Sequence, residues 1–279
     1  MKVKNVLVVY YVHNYKTLEK VERCLTSHKI NYKATRRIHL TKQMCKNRDL
    51  VIIVGGDGTF LRTAHHILDK TPVFAVSSDT KYNEAFYSKA TPANFSKKFE
   101  KLLHGRVKIV KLPRLEAKIN GKKVELLALN EIFVGSMHPY HTSRYVIKVK
   151  GKSEFQKSSG ILITTRTGRT GWAKSAAKKR LSISKTGFGY VVREPYIGRL
   201  TKSKILRNMV RELRGSNPRP QFWRLLLYHL TKLPFLLLGF FTHFIMYHVF
   251  STCVTKLFEL YFTLHEFDIF SGPIIWFLT

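Results

Sequence analysis

The chain has 279 residues, 44% of them hydrophobic, which is enough for one large or two small domains with a buried core. Lys and Arg outnumber Asp and Glu by 49 to 17, giving a formal net charge of +32 that favours polyanionic ligands, although a general lysine bias would produce the same composition. Cys24, Cys45 and Cys253 are far apart, which argues against a disulfide framework or a Cys-x-x-Cys zinc site and fits a reducing cytoplasm.

The first third of the chain alternates between short apolar runs, typical of buried strands, and segments with apolar residues at helical spacing. The predicted strands are Val6–Tyr11, Leu50–Val54 and Val73–Val76, and the predicted helices are Thr17–His28, Phe60–Asp69 and Pro92–Leu103. Such alternation predicts a parallel sheet with right-handed crossovers. We therefore predict an α/β domain over residues 1–105.

A glycine-rich turn, Gly55-Gly56-Asp57-Gly58-Thr59, lies between the second of these strands and the helix that follows it. Glycines at a helix N-terminus let backbone N–H groups approach an anion closely, and the helix dipole adds positive charge there. An Asp at this position suits a pocket that needs a base or a metal contact beside phosphates. The alternative is that Asp57 only caps the helix.

After Gly105 the pattern changes to short segments of alternating polarity. They are Val107–Val110, Arg114–Ile119, Lys123–Leu127, Glu131–Val134, Ser143–Val149 and Gly160–Thr164. Turn residues such as Asn120-Gly121 and Gly151 separate several of them, which is typical of hairpins. We therefore predict a mostly antiparallel β domain over residues 106–210.

Two polar stretches of this second domain are candidates for ligand binding. Asn130-Glu131 offers donors and acceptors to paired ribose hydroxyls, or else forms a hairpin turn beside a surface charge. Thr164–Trp172 combines hydroxyls, glycines, two guanidinium groups and an indole, which suit sugar, phosphate and a stacked base. The alternative for this second stretch is an ordinary polar loop.

The glycine-aspartate turn, the Asn-Glu pair and residues 165–176, in this order, resemble the motifs of NAD kinases, which phosphorylate the 2′-hydroxyl of the adenosine ribose of NAD. In that family the third element usually runs Asp-Gly, four residues, then Thr-Pro-Thr-Gly-Ser-Thr-Ala-Tyr-x-x-Ser. Here it begins at Ser159-Gly160 and keeps the frame of Thr165, Thr167-Gly168, Thr170 and Ser175. The resemblance covers about residues 5–200, including Ser77-Ser78-Asp79, whereas the glycine-aspartate turn alone is shared with lipid and sugar kinases.

The resemblance implies a role for each matching residue. Asp57 would accept the proton of the ribose hydroxyl as that oxygen attacks the terminal phosphate of ATP or polyphosphate. The donor phosphates would lie in a cradle formed by Gly55, Gly56, Gly58 and Thr59. The NAD site would be formed by Asn130, Glu131, Thr165, Thr170, Trp172 and Ser175.

The resemblance also implies Mg²⁺ bridging the donor phosphates, with no protein ligand indicated beyond Asp57. It further implies a homodimer or homotetramer. We expect no nucleic-acid partner, because neither a stacking platform nor a basic helix accompanies the charge.

Several residues depart from the family pattern. Ser159 replaces the usual Asp, Arg166 replaces Pro, Arg169 replaces Ser, Gly171 replaces Ala and Trp172 replaces Tyr. Together they make the pocket more cationic. We expect a shifted preference, toward NADH or a phosphorylated nucleotide, or a weakened turnover.

The last part of the chain, residues 217–279, has a different character. Leu233–Thr255 contains no Asp, Glu, Lys or Arg over 23 residues, which meets the threshold for a membrane span. Three interpretations of this apolar, aromatic tail stay open: a membrane anchor, a segment buried against the β domain or a second subunit, and the product of a shifted reading frame.

Two functions from other classes also stay open. A non-catalytic or impaired nucleotide-binding protein would keep the Asn130 and Thr165 features without transferring phosphate. A lipid kinase would share the glycine-aspartate turn and accommodate an apolar tail, but would leave the Thr164–Trp172 loop unexplained.

Overall fold

The computed structural model describes residues 2–78, 84–138, 140–149, 151–185, 187–199, 201, 203–211, 223–224 and 260–265. The helices are α1 (Tyr15–Ser27), α2 (Lys42–Cys45), α3 (Asp57–Ala64), α4 (Phe95–Leu103) and α5 (Trp172–Ala177). The first strands are β1 (Asn5–Tyr10), β2 (Asn31–Arg36), β3 (Leu50–Val54) and β4 (Val73–Val76). The remaining strands are β5 (Arg114–Ile119), β6 (Lys122–Lys123), β7 (Glu131–Val134), β8 (Ser143–Val149), β9 (Lys152–Ser158), β10 (Gly160–Thr165), β11 (Gly187–Arg193), β12 (Arg207–Arg211), β13 (Trp223–Arg224) and β14 (Leu260–His265).

The first four strands form one parallel sheet in the order β2-β1-β3-β4, which confirms the predicted parallel α/β domain. Helices α1 and α4 cover one face of this sheet, where Val21, Phe95 and Phe99 pack with apolar residues of β1 and β3. Phe60 and Ile67 pack against the other face. Strand β3 is buried along its whole length because both faces are covered, which explains its uninterrupted apolar sequence.

Several elements of this domain differ from the prediction. Strand β2 was not predicted, because only one of its six residues is buried and no apolar run marks it. Helix α3 begins at Asp57, within the glycine-rich turn, and ends at Ala64 rather than at Asp69. Helix α4 begins at Phe95, because residues 91–94 form a turn in which the Thr91 N–H donates to Asn94 Oδ1 at 2.9 Å.

The second part of the chain is built from antiparallel strands, as predicted. Strands β12-β11-β10-β7 form one sheet, β8 and β9 form a hairpin, and β13-β14-β5-β6 form a third group. Their shared core includes Leu115, Ile132, Ile147, Ile161 and Tyr190. The predicted bounds of β7 and β8 match the structure.

Other strand predictions in this region were wrong or incomplete. Val107–Val110 forms no strand, and in the predicted Lys123–Leu127 segment every residue after Lys123 is outside strands and bridges. Strand β9 was missed because its sequence, Lys-Ser-Glu-Phe-Gln-Lys-Ser, contains a single apolar residue. Among the described strands, β9 pairs with β8 alone.

The predicted membrane segment Leu233–Thr255 lies outside the described residues. Among the residues that the structure describes, no helix has the length and apolar character that a bilayer crossing requires. Within residues 217–279 the described parts are β13 and β14, and β14 pairs antiparallel with β5. The three interpretations of the tail therefore stay open.

Candidate active site

The glycine-rich turn connects the carboxyl end of β3 to the first turn of α3. The Gly55 N–H donates to the Val76 carbonyl at 3.0 Å, and the Gly56 carbonyl accepts from the N–H groups of Thr59 and Phe60. A Cβ on Gly55 would lie 2.7 Å from Thr59 Oγ1, so the close approach of these two residues requires glycine. Among the described residues no acceptor takes the N–H of Asp57 or Gly58, which leaves these amides for an anion.

Asp57 is the first residue of α3, and Gly56 occupies the cap position. The Asp57 carboxylate accepts N–H groups from a segment far along the chain, at 2.9 Å from Phe86 and 3.0 Å from Tyr87. This geometry argues against the alternative that Asp57 only caps α3. The backbone N–H groups of Phe86 and Tyr87 thus fix the orientation of the carboxylate beside the glycine-rich turn.

Tyr87 connects this carboxylate to the second domain. Its ring stacks on Phe60 at a centroid distance of 4.4 Å and an interplanar angle of 4°, and its hydroxyl donates to Asn130 Oδ1. Burial raises the pKa of Tyr87 well above its usual range, and the nearby Glu131 and Asp57 carboxylates raise it further, so the phenol stays a donor. Sequence reasoning missed Tyr87, because no motif or periodicity surrounds it.

Asn130 and Glu131 lie where the chain enters β7. The Asn130 carbonyl accepts the Thr165 N–H at 2.9 Å, and a Glu131 carboxylate oxygen accepts the Ala173 N–H at 3.3 Å. Burial raises the pKa of Glu131 to about 7, against the opposing effect of the Ala173 and Trp172 N–H groups. Glu131 is thus a largely buried carboxyl at the start of α5, and not a surface charge beside a hairpin turn.

The predicted hydroxyl-rich loop is an ordered turn built on this Asn-Glu pair. Thr165 is fully buried, and its hydroxyl donates to the Leu129 carbonyl at 2.6 Å while accepting the N–H groups of Thr167 and Gly168. A Cβ on Gly168 would lie 2.5 Å from the Asn130 carbonyl oxygen. The loop is therefore held in a fixed shape, rather than being an ordinary polar loop.

The remaining predicted NAD-site residues lie along the same loop and on α5. The Thr170 hydroxyl donates to the Thr167 carbonyl at 3.2 Å, and Ser175 is exposed on α5. Trp172 keeps 37% of its surface exposed and packs beside Phe133, with the Arg193 guanidinium 4.8 Å from its ring centroid. Arg193 was not predicted, and the Glu-Pro-Tyr sequence that follows it gave no signal of this contact.

The substituted arginines add charge next to this loop. The pKa of Arg169 is lowered, mainly by burial and further by Arg180 and Arg166. Ser159 lies at the β9–β10 corner, where its N–H donates to the Arg193 carbonyl at 3.1 Å.

The side chains near the turn indicate how the expected Mg²⁺ could be bound. Among the described residues no group of three or more His, Cys, Asp or Glu side chains could hold a metal ion. In the described part of the chain, Asp57 supplies the carboxylate at the turn. Mg²⁺ commonly binds through one or two carboxylates together with substrate phosphates, so the residues fit an ion that the phosphate donor brings with it.

The structure thus brings the three motifs together. Asp57 contacts the Tyr87 backbone, Tyr87 contacts Asn130, and a Cβ on Gly171 would lie 3.2 Å from a Glu131 carboxylate oxygen. Of the Ser77-Ser78-Asp79 segment, Ser77 is buried at the end of β4. Asp79 lies outside the described residues.

Known proteins share parts of this sequence. Residues 3–107 match the family model of the ATP-NAD kinase N-terminal domain. The chain is 31% identical over 185 residues to a protein of Oryza sativa subsp. japonica named "Probable NADH kinase", covering 59% of this chain and 57% of that protein. It is 30% identical over 151 residues to an NAD kinase of Methanospirillum hungatei, covering 53% and 54%. The matches thus span less than two thirds of these relatives.

Solved structures share the fold. An NAD kinase from Archaeoglobus fulgidus, in complex with ATP, superposes with a TM-score of 0.61 at 22% identity, covering 74% of this chain and 77% of that one. Yeast NADH kinase, complexed with NADH, superposes with a TM-score of 0.62 at 18% identity, covering 76% and 70%.

Proposed function

Because this chain belongs to the NAD kinase family, we propose that it transfers the terminal phosphate of ATP or polyphosphate to the 2′-hydroxyl of the adenosine ribose of NAD(H). The observation that carries the proposal is the continuous contact from Asp57 through Tyr87 to Asn130. This contact links the glycine-rich turn, the candidate phosphate site of the first domain, to Asn130, a candidate sugar-binding residue of the second.

The catalytic step assigned to Asp57 is proton transfer. Its carboxylate accepts the proton of the ribose hydroxyl as that oxygen attacks the terminal phosphate, whose bond to the rest of the donor breaks so that ADP or a polyphosphate shorter by one phosphate leaves. The backbone amides of Phe86 and Tyr87 hold the carboxylate in one orientation, and the amides of Asp57 and Gly58 stabilise the donor phosphates. Positioning of the two substrates supplies much of the rate in such transfers.

The nucleotide is held on the other side of the site. Asn130 and Glu131 face the adenosine portion, while the loop through Thr170 and the Trp172 ring line the rest of the NAD site. Arg166 and Arg169 bring positive charge to the loop, which favours a pyrophosphate. Since two of the similar proteins are NADH kinases by name, NADH is included as a substrate.

Mg²⁺ brought by the phosphate donor would neutralise the charge of its phosphates. Of the described residues at the glycine-rich turn, Asp57 has the carboxylate that would contact the ion. We further propose a cytoplasmic homodimer or homotetramer with no nucleic-acid partner. Size-exclusion chromatography with light scattering would measure the oligomeric state.

The test is direct. Purified protein is incubated with NAD or NADH, with ATP or polyphosphate, and with Mg²⁺, and NADP(H) formation is followed with an NADP-specific dehydrogenase. We expect product with the wild type and a loss of about a hundred- to ten-thousandfold in kcat for Asp57→Asn, because the base is removed and the amide oxygen can accept only one of the two N–H groups that the carboxylate accepts.

The matched control is Asp69→Asn. Among the described residues, the Asp69 carboxylate accepts the Thr71 N–H and no other hydrogen bond, in the turn between α3 and β4. Equal activity of Asp57→Asn and wild type would contradict the role of Asp57. Phosphorylation of diacylglycerol or sphingoid bases, with none of NAD(H), would favour the lipid-kinase alternative. Binding of NAD(H) without any transfer would favour the impaired nucleotide-binding protein.

A further inference from the structure

Arg37 lies beside the glycine-rich turn although no motif includes it. It directly follows β2, and its backbone N–H donates to the Tyr10 carbonyl at 2.9 Å, at the carboxyl end of β1. The glycine-rich turn leaves the carboxyl end of β3, next to β1 in the sheet. Ligands of open α/β sheets bind outside the carboxyl ends of the strands, so Arg37 is on the ligand side.

The guanidinium of Arg37 contacts the turn itself. Its Nη1 donates to Thr59 Oγ1 at 3.3 Å, and its Cζ lies 4.1 Å from the ring centroid of Tyr11, the residue after β1. Because the Thr59 hydroxyl oxygen accepts from Arg37, its hydrogen is left to donate elsewhere. Thr59 is also the residue that the missing Cβ of Gly55 allows into the turn.

The charge of Arg37 is not neutralised within the part of the chain that the structure describes. No carboxylate of a described residue lies within ion-pair distance of it, and its Nε is buried without a hydrogen-bond partner. Burying a guanidinium N–H without a hydrogen-bond acceptor destabilises the fold, unless a ligand accepts that hydrogen bond. The neighbouring Arg36 differs, because its side chain is exposed and donates to the Tyr15 hydroxyl at 3.0 Å.

We propose that Arg37 binds the phosphate chain of the donor, together with the Thr59 hydroxyl and the amides of the glycine-rich turn. The inference rests on the proposed kinase function and adds a residue that recognises the donor. The shared chemistry of ATP and polyphosphate is a chain of anionic phosphates, which a planar guanidinium binds through paired hydrogen bonds. The Tyr11 ring holds the guanidinium plane in place.

The experiment compares three variants in steady-state kinetics with ATP and, separately, with tripolyphosphate. Arg37→Met keeps an unbranched stem and removes the charge, Arg37→Lys keeps the charge without the fork, and Arg36→Met is the matched control. For Arg37→Met we expect the KM of both donors to rise about ten- to hundredfold, because a charged hydrogen bond is lost. The KM for NAD and the kcat at saturating donor should change by less than about twofold.

The control and the conservative variant sharpen the result. Arg36→Met should leave every constant unchanged, and Arg37→Lys should lie between wild type and Arg37→Met. An unchanged donor KM in Arg37→Met, or an equal rise in Arg36→Met, would overturn the proposal. So would a rise for ATP without one for tripolyphosphate, since the guanidinium would then contact the adenosine.

A binding measurement separates this inference from the kinase function. Calorimetry with tripolyphosphate is performed on wild type and Arg37→Met, after thermal melts have shown that both are folded. Binding by the wild type that the variant loses supports the inference even if no NADP(H) is ever formed. If Arg37→Met does not fold, Arg37→Lys is used instead, and donor binding as tight as in the wild type would count against the assigned contact.

Discussion

At the scale of single residues, Tyr87 joins the glycine-rich turn to the second domain, although no motif identified it. Its backbone holds Asp57, its ring stacks on Phe60, and its hydroxyl reaches Asn130. A phenol in this position acts on the reaction by placing other groups. We therefore regard it as a positioning residue.

For Tyr87→Phe we expect kcat/KM for NAD to fall about tenfold, because the ring is kept while the Asn130 side chain loses its donor. The donor KM should stay unchanged, since the glycine-rich turn is not altered. Steady-state kinetics with each substrate varied in turn would measure both constants.

Tyr145→Phe is the matched control for this prediction. It removes another buried phenol, whose hydroxyl bonds to the Ser158 hydroxyl at 2.7 Å within the β8–β9 hairpin. Both variants should lose a comparable amount of thermal stability. A fall in kcat/KM of similar size in the two would mean that Tyr87 contributes only to stability.

Glu131 makes the stability of the fold depend on pH. Burial raises its pKa from 4.5 to about 7, so between these values the folded chain holds a proton that the unfolded chain has released. The free energy of unfolding therefore falls as pH rises from about 4.5 to about 7 and stays level above that range. A difference of about two to three pKa units corresponds to roughly 3 kcal/mol.

Glu131→Gln removes this titration while keeping an oxygen that can accept the Ala173 N–H. The difference in free energy of unfolding between the variant and the wild type should therefore change between pH 5 and pH 8. We expect this change to favour the variant by an amount on the order of 3 kcal/mol. Denaturant titrations of both proteins across this range measure it. A stability difference that does not vary with pH would show that the carboxyl titrates normally.

At the scale of helices and strands, the sequence predicted elements wherever burial imposes a pattern. The apolar run of β3 and the alternation of β7 and β8 reflect residues buried on one or both faces. Strand β2 escaped prediction because it is at the sheet edge, where most side chains face solvent. The start of α3 was placed too late, since glycines in its first turn obscure the helical period.

The glycine-rich turn allows a test of this close packing. A methyl group on Gly55 would meet Thr59 Oγ1 at 2.7 Å and Thr59 Cβ at 3.0 Å, whereas one on Gly58 meets nothing within 4 Å. We expect Gly55→Ala to lower the free energy of unfolding by about 1–3 kcal/mol, because the first turn of α3 must shift.

Gly58→Ala is the control for the stability measurement. It is not a control for activity, because Gly58 belongs to the proposed phosphate cradle. It should be as stable as wild type or more stable by up to about 1 kcal/mol, since alanine favours the helix. Thermal melts of the two variants decide the matter. Equal destabilisation would mean that flexibility, rather than the contact with Thr59, requires the glycine.

At the scale of the whole molecule, the site exists only where the two domains meet. Leu129 of the second domain packs in a core shared with Leu7, Phe60 and Tyr87 of the first, while its carbonyl accepts the Thr165 hydroxyl. The sequence alone identified three motifs, namely Asp57 in its glycine-rich turn, the Asn130-Glu131 pair and the Thr164–Trp172 loop. What joins them, namely Tyr87 and the Leu129 packing, is set by tertiary contacts with no local signal.

The excess of positive charge is also a property of the whole molecule, and its contribution to function can be measured. A net charge of +32 attracts polyanions over distances comparable to the Debye length, so donor binding should weaken as salt shortens that length. We expect the KM for tripolyphosphate to rise several-fold when KCl is raised from about 0.05 M to about 0.3 M, at constant free Mg²⁺. The KM for NAD, which carries less charge, should rise less. If both constants respond equally, the lysine excess is a compositional bias without a part in recruiting the donor.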